Sequence, residues 1–174
     1  MTNYREFRYV GPDNILENLP KISGRILVQS SDSVMNWIIQ TRQPREYSDL
    51  FVATFIVDTS GRLWINDRRS EHVLCAEGKP VLAAGEMAFQ VDRSNNLQVV
   101  EVTNQSTGYC PDPESWWIVE RALNTANIKH PPDFTTKYLF RLCENCGTKN
   151  IVKDDWFECG VCQQPLSVDW NFDQ

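Results

Sequence analysis

The chain has 174 residues, 41% hydrophobic and 11% aromatic, with a net charge of −6 and a sequence pI near 4.9. That is enough apolar material for one packed domain plus a small appendage, and it excludes wholesale disorder. The acidic balance weighs against nucleic acid as a partner, and no apolar run is long enough to cross a bilayer. The opening MTNYREFRYV lacks the apolar centre of a signal peptide. The sequence therefore leads us to expect a cytoplasmic protein, whose thiols stay reduced.

Taken in chain order, GPDNILENLP reads as a short helix ended by Pro20, and GRILVQ (Gly24–Gln29) as a strand. SDSVMNWIIQTR reads as a helix capped by Ser31 or Asp32, with Val34, Trp37, Ile38 and Thr41 along one face and Pro44 as its stop. Leu50–Asp58 and Arg62–Asn66 form the clearest hairpin, turning at Thr59-Ser60-Gly61. Its first strand is apolar on both faces, which predicts a central place in the sheet. A second hairpin joins PVLAAGEMAFQVD to LQVVEV through Arg93-Ser94-Asn95-Asn96. PDPESWWIVERALNTANI follows as a helix, with Asp112 as N-cap, Pro113 at its first position, and Trp116, Val119, Leu123 and Ala126 as its buried stripe. The predicted class is α+β: a mainly antiparallel sheet with two or three helices over residues 1–134.

Residues 135–174 differ in kind. Cys143, Cys146, Cys159 and Cys162 fall as C-x2-C, twelve residues, C-x2-C. Each C-x2-C pair can wrap two thiolates around one tetrahedral zinc. Gly147 follows the first pair, where the chain must turn, and Gly160 lies inside the second. Between them Ile151-Val152, Lys153-Asp154-Asp155 and Trp156-Phe157 read as strand, turn and strand. Disulfides would need an oxidising compartment, and a redox dithiol would need a single pair at a strand-to-helix junction. A zinc deaminase needs a proline before its C-x-x-C, but Leu142 and Glu158 hold those positions. The expectation is one structural zinc with four thiolate ligands and no open position for a catalytic water. The segment resembles the zinc-ribbon family. Asp154, Asp155 and Glu158 outweigh Lys149 and Lys153 at its tip, which favours protein docking over nucleic acid.

Ser70–Ser115 runs through a His-containing loop, the GKPVLAAGE strand, a turn, a strand ending in VTNQSTGYCP, and a helix. This order resembles a small domain of bacterial polymorphic-toxin proteins and plant calmodulin-binding IQ-motif proteins. There the second strand ends in Ser-Gly-His-Tyr-x-Pro. Here Gly108 stands in place of that histidine, so the resemblance implies the hairpin-plus-helix fold and no reaction.

His72, Glu86 and Tyr109 are the candidates for a small-ligand pocket. His72 and Cys75 have a spacing that suits a metal, but Cys110 and His130 have none, so the four read as buried thiols and loop histidines rather than a second site. The run Asp67-Arg68-Arg69-Ser70-Glu71 reads as a solvated loop. One of the adjacent Trp116 and Trp117 belongs to the core, and the aromatic tail Val168–Phe172 either folds onto the ribbon or anchors a partner. No residue is assigned a catalytic role. The sequence thus points to a non-catalytic protein-interaction protein, an adaptor, accessory or immunity-type component of a bacterial system. Its rivals are an enzyme or ligand-binding domain using His72, Glu86 and Tyr109, and a nucleic-acid-binding ribbon.

Overall fold

The computed structural model describes residues 4–172. Among them, strands β1 (Ile26–Leu27), β2 (Phe51–Asp58), β3 (Leu63–Asp67), β4 (Val81–Val91) and β5 (Leu97–Val102) form one antiparallel sheet in the order β1-β3-β2-β4-β5. The fold is α+β. β2 lies at the centre, as its being apolar on both faces predicts, and Phe51–Val57 are all buried, Thr54 included. Phe55 pairs with Ile65 on one side and Gly85 on the other.

One sheet face carries the main core. Ala53, Phe55, Val57, Ile65, Met87, Phe89 and Val99 pack there against two helices, α2 (Ser31–Gln40) and α4 (Trp116–Thr125). α2 contributes Val34, Trp37 and Ile38, and α4 contributes Trp116, Ile118, Val119, Ala122 and Leu123. The opposite face is covered in two patches. Ile56 and Ala84 meet Phe7, Tyr109 and the short helix α3 (His72–Cys75), while Val52, Ala88 and Leu50 form a smaller group.

Local details depart from the sequence expectations in three places. The α2 cap is Ser30, not Ser31 or Asp32: its hydroxyl accepts from the Ser33 N–H, and the Ser33 hydroxyl accepts from the Ser30 N–H. That reciprocal pair needs serines three apart, which Ser30 and Ser33 supply. The helix then stops well before Pro44, because Arg42 turns left-handed and Gln43 N–H reaches back to the Ile38 carbonyl. α3 replaces an expected loop. A fourth, five-residue helix, α1 (Asp13–Glu17), has no fully buried residue and only rests Ile15 against the Phe7 and Tyr109 group. Asp112 does cap the final helix, over a tight turn at Pro113–Ser115.

The C-terminal lobe holds the third difference. β6 (Leu139–Leu142) pairs with β7 (Lys149–Val152), so the hairpin closes through the first cysteine pair rather than through Lys153-Asp154-Asp155. That pair already reverses the chain, with Cys143 N–H on the Thr148 carbonyl and Gly147 N–H on that of Cys143. Trp156-Phe157 form no strand beside β7, and Trp156 is 67% exposed. The tail does run along the ribbon, where Asn171 bonds both the N–H and the carbonyl of Leu142 and Val168 accepts from Arg141, while its Trp170 ring lies edge-on to Phe7 of the body.

Candidate metal centre

The four cysteines come together as their spacing predicts. Their sulfur atoms all lie within 4.8 Å of one another, with Cys143 Sγ 3.5 Å from Cys162 Sγ and Cys146 Sγ 3.6 Å from Cys159 Sγ. A tetrahedral zinc with bonds of about 2.3 Å would hold its sulfurs about 3.8 Å apart. The donor set fits that ion. Among the described residues this is the one group of three or more metal-type ligands.

The two knuckles are built alike. Gly147 N–H donates to the Cys143 carbonyl at 2.8 Å, and Gln163 N–H donates to the Cys159 carbonyl at 3.0 Å. Both residues adopt positive φ, 72° at Gly147 and 61° at Gln163. The chain then closes each loop with Cys143 N–H on Thr148 and Cys159 N–H on Gln164. Further N–H groups point at sulfur, from Val161 and the Asn150 amide to Cys159 and from the Asn145 amide to Cys162. The backbone N–H groups of Cys162 and Val161 pull the Cys159 thiol down to about 6. Such donors favour thiolate, the form that a metal binds. Apart from the cysteines, the lobe's buried core is only Val152 and Leu166, with Leu139 and Phe157 against it. With so little apolar burial, a bound metal would be the main source of its folding energy.

Contacts that the cysteine spacing does not reveal fix this lobe to the body. Lys149 Nζ donates to the carbonyls of Val10 and Thr107 at 2.9 and 3.2 Å. Arg141 acts within the lobe instead: it is buried, its guanidinium donating to the carbonyls of Phe140, Ser167 and Val168. Asn104 holds Tyr138 through both its backbone N–H and carbonyl.

His72, Glu86 and Tyr109 each engage a different group. His72 Nε2 donates to the Gly85 carbonyl at 2.9 Å, and desolvation lowers its pKa to about 4, so the ring is neutral at pH 7. Glu86 pairs with Arg68 at 3.6 Å, and Arg68 also reaches Glu46. Tyr109 is fully buried, donates to the Lys79 carbonyl, and desolvation raises its pKa. The cations of the Asp67–Glu71 run are thus taken up by Glu46 and Glu86, with Arg69 also within 3.5 Å of Glu46. Cys75 and Cys110 are buried, and desolvation pushes both thiols up to about 12, away from a nucleophile's range. Trp116 is the core member of its pair, and Trp117, 39% exposed, lies tilted against Tyr4 at 4.4 Å.

No helix among the described residues is long and apolar enough to cross a membrane. No protein-family model matches the chain, and neither a curated protein nor a solved structure matches it.

Proposed function

We propose that this is a non-catalytic protein-interaction protein, an adaptor, accessory or immunity-type component, whose C-terminal lobe is a zinc ribbon that docks a partner. One observation carries the reading. The ribbon presents Trp156 and Val161 to solvent at 67% and 69% exposure, around a centre whose four thiolates leave no ligand position open. A large exposed aromatic on a rigid, metal-held lobe is a common form of interface anchor. The zinc holds structure and does no chemistry. Two buried thiols and four cysteines given to a metal fit a reducing compartment, the cytoplasm.

The body supports the same reading. Its two cysteines are buried with raised pKa values, and His72 is tied to a backbone carbonyl. Nucleic acid would meet a ribbon on which Lys149 and Arg141 already serve backbone carbonyls.

The test compares two sets of variants in the native host. Ribbon variants such as Trp156→Ala should lose function in a complementation assay while keeping zinc and melting temperature. Conservative changes at His72, Glu86 and Tyr109 should lose function only as far as they lose stability. Folded but inactive His72→Gln or Glu86→Gln proteins would point to an enzyme or ligand site instead.

A further inference from the structure

The ribbon is more acidic at its surface than its composition implies. Of its four bases, Arg141 is buried on carbonyls and Lys137 pairs with Asp133 at 2.5 Å. That leaves Lys153 and Lys149, the latter still charged but held against the Val10 and Thr107 carbonyls. Glu144, Asp154, Asp155 and Glu158 are all exposed, and among the described residues no ion pair neutralises any of them. A divalent ion held by four thiolates adds two further negative charges at the centre.

The exposed apolar side chains are interleaved with these carboxylates. Trp156 follows Asp154-Asp155 and precedes Glu158 by two residues. Glu144 lies inside the first knuckle and Val161 inside the second, wound about the same four sulfur atoms.

Building on the protein-interaction reading, we infer that the ribbon docks a basic segment of its partner, a Lys/Arg-rich stretch carrying an apolar anchor. An exposed indole face attracts a guanidinium or ammonium and also buries an aliphatic stem. The unpaired carboxylates steer such a segment inward and set its orientation. The same field repels a phosphodiester chain and an anionic lipid surface. It also disfavours a second copy of this lobe, which would bring like charges together.

A random peptide library reads this preference directly. The zinc-loaded full chain is used to select phage-displayed peptides, and winners are measured by fluorescence anisotropy. The inference expects them to be net positive with an aromatic or aliphatic anchor. Trp156→Ala should weaken them about tenfold or more. The combined Asp154→Asn, Asp155→Asn and Glu158→Gln variant should weaken them as well, and should flatten the loss of affinity between about 0.05 and 0.5 M salt. These side chains are exposed, so zinc content and melting temperature should stay unchanged and serve as controls. Neutral or acidic winners that still depend on Trp156 would overturn the basic partner while leaving the docking reading intact. Winners indifferent to every ribbon variant, or no enrichment at all, would overturn both.

Discussion

Trp170 Nε1 donates to the Cys110 carbonyl at 2.7 Å, tying the tail that follows the ribbon to the loop that precedes α4. The same indole meets the edge of Phe7 at 5.3 Å and lies under the Arg5 guanidinium at 4.9 Å. One side chain therefore clasps the C-terminal tail, the N-terminal segment and the Cys110 loop together. Trp170→Ala should cost about 2 kcal/mol, from one hydrogen bond, one cation–π contact and partial burial. Chemical denaturation measures this, and zinc content should not change. A loss below about 0.5 kcal/mol would show the clasp to be ornamental.

His72 gives stability a pH signature. Its folded pKa of about 4 lies below the ordinary 6.5, because desolvation penalises the imidazolium. The unfolded chain therefore binds the proton first as pH falls. The stability that neutral His72 contributes is complete above pH 6.5 and is lost progressively down to pH 4, by about 3 kcal/mol. His72→Gln keeps a donor for the Gly85 carbonyl without titrating. The difference between wild-type and variant denaturation profiles should show this slope, since acid effects on the metal thiolates are common to both. Parallel profiles would contradict the assignment.

The two knuckles make the same demand at equivalent positions and meet it with different residues. Gly147 meets a positive φ at little steric cost, whereas Gln163 adopts the same conformation with a side chain. Gly147→Ala should weaken the ribbon by about 1 kcal/mol, and Gln163→Gly should strengthen it by up to about 1 kcal/mol. Competition for zinc with a chromophoric chelator reads both changes, and reversed signs would refute the symmetry.

Gly85 is required for a different reason. A Cβ there would lie 1.8 Å from the Thr103 carbonyl oxygen, at the point where the chain leaving β5 presses on β4. Backbone cannot retreat as a side chain can. Gly85→Ala should cost about 3 kcal/mol or more, with little soluble, two-state protein recovered. A melting temperature near that of the wild type would show that this crossing is loose.

Much of the sheet is legible in the sequence because its signals are local. β2 announces its central place by being apolar on both faces, and Asp112-Pro113 marks a helix start through cap chemistry. α3 escapes because four residues, HVLC, are too few to show a period, and no side-chain cap precedes them. The pairing of β7 misleads for a related reason. Trp156-Phe157 looks like a strand beside an Asp-Asp turn, yet the first knuckle is itself a turn and hands β7 its partner in β6. The four clustered cysteines are legible because metal coordination would restrict their spacing. Their surroundings are not: Asn150 on the Cys159 sulfur, Lys149 on Val10 and Thr107, and Trp170 on Cys110 join residues whose proximity exists only in the fold.

The central claim is that four thiolates close around one zinc that holds structure and leaves no site for chemistry. X-ray absorption at the zinc edge on the purified full chain, combined with elemental analysis, tests it most directly. The account predicts one zinc per chain with four sulfur neighbours at about 2.3 Å and no nitrogen or oxygen in the shell. Protein prepared without chelators that contains no zinc, shows disulfides among Cys143, Cys146, Cys159 and Cys162, or binds zinc with an oxygen ligand would contradict it.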